Sequence, residues 1–392
     1  MITRDQIREL ASFQCEKNDE CAVSFYFQPQ TPQNKSHREE AILVKDLVRN
    51  ALHEVQKNGK NGHAKADFNR LLELAGNLHG NQARAKAVFA CAARDIWQEF
   101  DLPALLPATQ LFVNRRFHLR PLAELLGAQP RLWVALVDRH KARLFDLRLH
   151  ELREREGLFQ PAPRHSRSEG YAGYDGGHVQ RRAEDEVLHH WRNTSERLRE
   201  SLDKGMFDRL IVGCNDVIWP EFHSELHPYL RQRLLGRFGG DVMNMSQDQL
   251  RDEAGRILRK TLAERRQGLV REVLDQAKSN GRGVTGLRRV LRSIEQGEVQ
   301  TLLIDDNFSA QAVECMHCGH VDSHIVSFCP LCGKATRQLE DVCDAIIPSA
   351  IRRDIELFYV KNDHEFERSG RIAALLRFRA DQKKSIQSAI AS

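Results

Sequence analysis

Apolar residues along the first 127 positions alternate between helical and strand spacing. Residues after Thr3 have apolar positions at helical spacing, and threonine is a suitable N-cap, so a helix is predicted over Thr3–Phe13. The aromatic and β-branched run Ala22–Phe27 predicts a strand. The rest of this segment predicts two long helices, an extended piece and a Pro-started helix, at about Ser36–Lys57, Lys65–Phe100, Gln110–His118 and Pro121–Gly127.

Residues 128–246 alternate strands with helices, which is typical of an α/β domain. Two apolar runs around the polar Arg139–Lys141 turn predict a hairpin of Leu132–Asp138 with Ala142–Leu147. Residues 160–178 are rich in Pro, Ser, Gly, Arg and His and predict a loop too long for a plain connection. The remaining expected elements are a charged helix, a strand and a Pro-started helix, at Arg181–Asp203, Phe207–Cys214 and Trp219–Leu235.

Residues 247–392 begin with one extended helical pattern, Gln247 to about Lys278. A Gly-rich turn, a helix over Gly286–Gln296 and a strand over Val299–Ile304 follow. After a cysteine cluster, two further strand and helix patterns end at Arg371–Arg379. The chain therefore predicts three α/β domains, 1–127, 128–246 and 247–392, with no internal repeat.

Composition restricts the class of protein. In 392 residues, 41% are hydrophobic and 29% are charged, which fits a folded chain and excludes a disordered one. The most apolar strand-like stretch, Trp133–Val137, is far shorter than a membrane span. Met1–Gln6 lacks the basic and then apolar pattern of a secretory signal, so we expect a cytosolic protein.

Charge adds a mild indication of nucleic-acid contact. Lys and Arg total 59 against 54 Asp and Glu, a net charge of +5. This balance permits local contacts with nucleic acid but is too low for a DNA-coating domain.

Five of the nine cysteines crowd into one short stretch. Cys315-x-x-Cys318-Gly and Cys329-x-x-Cys332-Gly are separated by ten residues, a spacing typical of a zinc ribbon, here over about 313–336. Four thiolates leave no open position for water, so the expected zinc is structural. Cys343 lies outside the spacing and is expected in the core, and four free thiols remain the alternative.

Three other motifs resemble known functional sites, but each also has a simpler structural explanation. Gly281–Gly286 matches G-x-G-x-x-G, with Asp305 about 20 residues on, but a helix precedes it instead of the strand that a dinucleotide fold needs. His223 and His227 share one helical face without the glutamate placement of a zinc protease. Clustered carboxylates can hold the metal ions of a nuclease, for which the candidates are Asp138, Asp146 and Asp175.

The stretch from 164 to 182 combines basic, aromatic and glycine residues. Cations neutralise phosphates, rings stack on unpaired bases, and glycines let the backbone approach a ligand, so this loop suits RNA. A surface loop of chance composition is the alternative. The candidate RNA contacts are Arg164, Arg167, Tyr171, Tyr174, Gly176, Gly177, His178, Arg181 and Arg182.

The order of these features resembles the archaeal and eukaryotic peptide-chain release factor and Pelota superfamily, in its bacterial branch. The resemblance rests on the hairpin, the basic loop with Gly176-Gly177, the helix starting Arg181-Arg182-Ala183-Glu184, and Val290–Ile304 followed by the inserted ribbon. It covers nearly the whole chain and is weakest over 1–126. It implies a three-domain α/β architecture with an L7Ae/L30e-like C-terminal domain, which in relatives docks translation factors.

In that family the central loop ends in Gly-Gly-Gln, whose glutamine helps to position water for release of the nascent chain. The matching positions here are Gly176, Gly177 and His178. Imidazole cannot present the donor and acceptor pair of a planar amide, so we expect hydrolysis to be lost, with His178 as a substitute catalytic residue in the alternative. The family's stop-codon tip is matched only by Asn34, Lys35 and Ser36, so Asn34 and Lys35 are expected near the decoding site without reading a codon.

The resemblance implies a monomeric, cytoplasmic ribosome-binding factor that occupies the A site of idle or stalled bacterial ribosomes, a hibernation role. The expected partners are the 70S ribosome, through 23S and 16S rRNA, and a GTPase such as elongation factor Tu, without DNA or membrane. The alternatives are a rescue factor that hydrolyses peptidyl-tRNA, a metal-dependent RNase and a plain RNA-binding module.

Overall fold

A computed structural model gives the fold of most of the chain. It describes residues 4–15, 22–29, 38–57, 63–77, 85–102, 106, 108–126, 130–148, 151–159 and 176–379. Among these residues no helix combines the length and the apolar character that a bilayer crossing requires.

The N-terminal segment forms an antiparallel sheet whose strands run in the order β3-β2-β1-β4. The strands are β1 (Ala22–Phe27), β2 (Ala85–Cys91), β3 (Ile96–Leu102) and β4 (Gln110–Asn114). The helices are α1 (Arg4–Ser12), α2 (Arg38–Lys57), α3 (His63–Asn77) and α4 (Arg120–Leu126), with a 3-10 turn at Ala92–Arg94. The strand predicted over Ala22–Phe27 is confirmed to the residue, and every residue of it is buried.

The helix predicted over Lys65–Phe100 is confirmed as far as Asn77 and is wrong from Ala85 onward. Ala85–Cys91 is a strand between β1 and β3, and all of its side chains except that of Lys86 are buried. Alanine-rich sequence has a high intrinsic helix propensity, but a strand covered on both faces also reads as a continuous apolar run. Burial in the sheet therefore overrides local propensity here.

The middle segment folds around a mixed sheet in the order β7-β6-β5-β8-β9, in which β5, β8 and β9 are parallel. Apolar side chains cover both faces of this sheet. Its strands are β5 (Leu132–Val137), β6 (Lys141–Arg148), β7 (Glu151–Phe159), β8 (Arg209–Gly213) and β9 (Leu234–Phe238). Its helices are α5 (Gly176–Asp203), α6 (Trp219–Glu225), α7 (Pro228–Arg233) and α8 (Gln247–Lys278).

The hairpin and the helix α8 are confirmed, but the helix predicted over Trp219–Leu235 is divided. Leu226 is extended, with ψ 131°, and Pro228 then starts a new helix. A residue before or near proline is biased away from helical backbone, so the chain breaks there. Leu234 and the residues after it form the edge strand β9.

The C-terminal segment contains two sheets, one of order β10-β16-β11-β15 and one of order β13-β12-β14. The strands are β10 (Gly283–Thr285), β11 (Val299–Asp305), β12 (Ala312–Cys315), β13 (Val321–Asp322), β14 (Thr336–Leu339), β15 (Glu356–Val360) and β16 (Ile372–Leu376). The helices are α9 (Leu287–Glu295), α10 (Cys343–Arg352) and α11 (His364–Arg368). The predicted mixed α/β class is confirmed.

The chain divides into two compact units, residues 129–265 and residues 1–128 together with 266–392. In the second of these, the two sequence segments share one apolar core that includes Phe117, Leu122, Ile346 and Tyr359. Arg352 Nη1 also donates to the Ala11 carbonyl oxygen at 2.6 Å. The division into three domains remains a prediction.

His190 gives the middle unit a pH-dependent stability. Its side chain is 1% exposed and its Nε2 has no hydrogen-bond partner. Burial lowers the pKa of His190, and the nearby His140 and His189 lower it further. A hydrogen bond to the Lys141 backbone and the charge of Asp138 partly oppose this lowering. Because the unfolded state takes up the proton more readily, the stability is present at neutral pH and is lost as pH falls below about 6.5.

We therefore expect the unfolding equilibrium of the middle unit to shift by up to about tenfold per pH unit below pH 6.5 because of His190. His190→Gln should flatten this dependence in urea unfolding followed by circular dichroism between pH 5 and 7.5. His189→Gln, at the exposed neighbouring position, is the control and should change the slope much less than His190→Gln, because His189 only adds to the lowering of the His190 pKa. An unchanged slope in His190→Gln would contradict the assignment.

Candidate functional site

Helix α5 extends well beyond the sheet that it packs against. Trp191 Nε1 donates to the Asp138 carbonyl oxygen at 2.9 Å, directly after the end of β5. The helix begins at Gly176, about 15 residues before this contact. At 1.5 Å per residue, the first residues of α5 lie about 22 Å past the end of the strand.

The burial pattern along α5 agrees with this geometry. The described side chains of Arg181, Glu184 and Asp185 are exposed, and burial begins at His190 and Trp191. Further along, Leu198 is fully buried in the core of the unit. The N-terminal part of α5 is therefore a projecting arm, and its C-terminal part is the anchor.

The predicted Gly-Gly position lies at the start of this arm. Gly176, Gly177 and His178 form the first helical turn instead of the end of a loop, so α5 starts five residues earlier than the sequence predicts. Arg181 is exposed, and Arg182 lies in the helix with its side chain outside the described residues. The other predicted RNA contacts also lie outside the described residues, namely Arg164, Arg167, Tyr171, Tyr174, Asn34 and Lys35.

A second site is the four-cysteine cluster of the segment 312–339, which we call the cysteine segment. The sulfurs of Cys315, Cys318, Cys329 and Cys332 all lie within 4.8 Å of one another. Cys315 Sγ is 3.4 Å from Cys332 Sγ, and Cys318 Sγ is 3.6 Å from Cys329 Sγ. Thiolates that bind one tetrahedral zinc at about 2.3 Å are about 3.8 Å apart, so the four residues fit zinc.

Two equivalent turns place these sulfurs. The amides of Gly319 and Gly333 donate to the carbonyls of Cys315 and Cys329, at 3.1 and 2.9 Å. The φ angles of the two glycines are +73° and +68°, a region in which a side chain is strained. The glycine that follows each Cys-x-x-Cys pair is therefore required by the turn.

Backbone amides also favour the thiolate form. The N–H groups of Cys318 and His317 point at Cys315 Sγ, each at 3.4 Å. Mainly through the Cys318 N–H, and with the thiols of Cys332 and Cys318, they lower the pKa of the Cys315 thiol to about 6, whereas burial and the neighbouring sulfurs raise the pKa values of the Cys318 and Cys332 thiols. A thiolate is the form of cysteine that binds metal.

The strand that carries Cys315 is tied to the N-terminal segment of the same unit. Glu314 is 3% exposed, and its carboxylate accepts from both terminal nitrogens of Arg116, one of them at 3.1 Å. Arg337 lies 3.5 Å from the same carboxylate. This contact joins residues that are 198 positions apart, and no local pattern in the sequence indicates it.

The carboxylates proposed for a nuclease do not gather around one ion. Asp138 Oδ1 accepts from the amides of His140 and Lys141 at 2.7 and 2.6 Å, and so caps the hairpin turn. Asp146 lies opposite Trp133 at the other end of β6 and pairs with Arg148 and Arg155. Asp175 lies outside the described residues.

The remaining motifs have structural explanations. His223 lies in α6 and His227 caps α7, so the two histidines do not share one helix. A Cβ at Gly283 would lie 2.2 Å from the Val273 carbonyl oxygen, so this glycine allows β10 to pack against α8. Asp305 Oδ1 accepts from the Asn307 amide at 3.0 Å and serves a turn. Across the described residues, the four cysteines are the one group of three or more side chains suited to a metal ion.

Comparison with known proteins gives a family match for the segment that carries α5. Residues 118–266, which include α5, match the family described as Bacterial archaeo-eukaryotic release factor family 10. Peptide chain release factor subunit 1 of Pyrococcus abyssi (strain GE5 / Orsay) is 26% identical over 297 residues, covering 68% of this chain and 70% of the relative. The protein of the same name from Thermococcus onnurineus (strain NA1) is 24% identical over 317 residues, covering 72% and 75%.

Solved structures are more distant. A structure described as a model of ribosome-bound archaeal Pelota and ABCE1 is 14% identical, with a TM-score of 0.41, over 77% of this chain and 79% of that chain.

Proposed function

Because this chain belongs to the bacterial branch of the archaeal and eukaryotic peptide-chain release factor and Pelota superfamily, we propose that it occupies the A site of idle or stalled bacterial ribosomes. It acts there as a hibernation factor, cytoplasmic and ribosome-associated, and does not release the nascent chain. The observation that carries the proposal is the arm of α5, which presents Gly176 and Gly177 about 22 Å beyond the sheet.

The arm supports binding better than chemistry. Glycines at its tip let the backbone approach rRNA, and the exposed Arg181 neutralises phosphate. The family resemblance places His178 at the position of the glutamine in Gly-Gly-Gln, and an imidazole cannot present an amide's paired donor and acceptor. The arm and its preceding basic loop contact 23S rRNA in this proposal, and the region of Asn34 and Lys35 faces 16S rRNA at the decoding site.

The cysteine segment has a supporting role. One structural zinc, held by Cys315, Cys318, Cys329 and Cys332, keeps β12 in place and with it Glu314. The C-terminal segment docks against the ribosome or a translational GTPase such as elongation factor Tu. The protein acts as a monomer.

Sedimentation with ribosomes tests the binding proposal. We expect the protein to co-sediment with 70S particles in sucrose gradients, and the association to fall steeply with salt because phosphate contacts release counterions. Absence from the 70S fraction at low salt would overturn the proposal. A salt-independent association would exclude the proposed phosphate contacts.

Peptide release separates hibernation from rescue. We expect the natural protein to release no peptide from stalled ribosomes carrying peptidyl-tRNA, while it and His178→Gln both still bind. Release by His178→Gln alone would show that the missing amide is what abolishes hydrolysis. Puromycin on the same ribosomes is the positive control for release. Release by the natural protein would support the alternative, a rescue factor that uses Gly176, Gly177 and His178.

A further inference from the structure

Six exposed arginines lie on or next to the elements that adjoin the edge strand β10 and have no carboxylate partner among the described residues. They lie before β10, along α9, and on both sides of β16, namely Arg282, Arg288, Arg289, Arg292, Arg371 and Arg377. Arginines elsewhere in the chain are commonly paired, as Arg116 is with Glu314, and Arg131 with Asp208. We call these six residues, together with Phe378, the arginine surface.

Backbone hydrogen bonds bring its parts together. The Leu376 amide donates to the Arg282 carbonyl oxygen at 2.8 Å, so Arg282 lies beside Arg377. At the other end of β10, the Gly286 amide donates to the Ile372 carbonyl oxygen at 2.9 Å, which places Arg371 beside the start of α9. β10 has only three residues, so Arg282 and Gly286, which flank it, are about 13 Å apart.

This arrangement opposes the stability of α9. Arg288 and Arg292 are at i and i+4, and Arg289 and Arg292 are at i and i+3, spacings at which like charges repel. The first turn of α9 carries no acid to offset cations at the positive end of the helix dipole. Sequences break such local rules mainly where a surface has a function.

We propose that the arginine surface binds single-stranded or looped RNA. All six cations are arginines, whose planar guanidinium groups bind phosphate through two hydrogen bonds and stack on bases. Phe378 lies between Arg377 and Arg379 and is 50% exposed, which suits it to stack on an unpaired base. One exposed aromatic ring is too little apolar surface to enter a bilayer, so RNA is favoured over an anionic membrane.

This proposal rests on the proposed ribosome binding but adds a second RNA contact, separate from α5. The test uses the full chain and a fluorescein-labelled 20-nucleotide single-stranded RNA of mixed sequence, with anisotropy measured over a range of KCl concentrations. We expect Arg288→Gln, Arg289→Gln and Arg292→Gln combined to weaken binding at least tenfold at 0.1 M salt. A plot of the logarithm of the RNA association constant against the logarithm of the KCl concentration should become less steep by about 2, because each lost phosphate contact removes about 0.7 from the slope.

Phe378→Ala should weaken binding about fivefold or more without changing the salt slope, because stacking carries no charge. The matched control is Arg197→Gln, Arg251→Gln and Arg256→Gln combined, which removes the same charge from exposed or half-buried arginines that have carboxylate partners. Circular dichroism should show that every variant stays folded. If the α9 triple variant and the control bind RNA equally well, the proposal fails.

Two further measurements separate the outcomes. If the α9 triple variant loses more binding to phosphatidylglycerol vesicles or to polyglutamate than to RNA, RNA is not the partner. Co-sedimentation with 70S ribosomes distinguishes the two proposals. If the natural protein and the α9 triple variant bind ribosomes equally well, the second RNA contact is refuted and the proposed function is not. If the natural protein does not bind ribosomes, the proposed function itself is refuted.

Discussion

Trp191→Ala is expected to lower the free energy of unfolding of the middle unit by about 3–5 kcal/mol. Trp191 is 1% exposed, its ring meets that of Phe222 edge-on at 6.3 Å between centroids, and its Nε1 holds the Asp138 carbonyl oxygen at 2.9 Å. Truncation therefore leaves a cavity, a lost aromatic contact and an unpaired carbonyl. Urea unfolding followed by far-ultraviolet circular dichroism measures the change.

Trp191→Phe is the informative comparison, because it keeps most of the apolar contact and removes the donor. It should lose clearly less stability than Trp191→Ala. Val217→Ala, at a position that is 72% exposed, should change stability by less than about 0.5 kcal/mol. A loss below about 1 kcal/mol in Trp191→Ala would show that Trp191 is not the anchor of α5.

Loss of metal from the cysteine segment is the second large effect that we expect. The purified protein should contain about one zinc per chain, and Cys318→Ser should contain almost none, measured by inductively coupled plasma mass spectrometry. Structural zinc sites contribute roughly 10–16 kcal/mol of apparent binding energy. Backbone amides of 312–339 should therefore lose protection from hydrogen exchange in Cys318→Ser.

Cys343→Ala is the control for this experiment. Cys343 is fully buried, burial raises the pKa of its thiol well above the usual range, and its sulfur lies near the Phe308 carbonyl oxygen, outside the cluster. This variant should retain one zinc per chain. Stoichiometric zinc in Cys318→Ser, or unchanged protection in metal-free protein, would contradict a four-cysteine site.

Segments of uniform local character allowed accurate prediction from the sequence. The long helix Gln247–Lys278 and the strand Ala22–Phe27 were predicted with the observed ends, because the first is a long run of mostly helix-forming residues without proline and the second is a run of aromatic and apolar residues. The cysteine cluster was predictable from spacing alone, since two Cys-x-x-Cys-Gly pairs fix the local backbone around the sulfurs.

Features that depend on distant residues were not predictable. Ala85–Cys91 is a strand because β1 and β3 flank it, and its own residues favour helix. The arm of α5 is visible only when the Trp191 contact with Asp138 shows where the sheet ends. The ion pair of Arg116 with Glu314 and the assembly of the arginine surface likewise arise from chain segments that meet only in the folded protein.

The shared core of residues 1–128 and 266–392 has a consequence for biosynthesis. Residues 1–128 are synthesised about 260 residues before the segment 266–392 is complete. At roughly 5–20 residues per second, this delay lasts tens of seconds. During that interval apolar side chains such as Phe117 and Leu122 lack the partners supplied by α10 and β15. The nascent chain is therefore a natural client for chaperones until its final third has emerged.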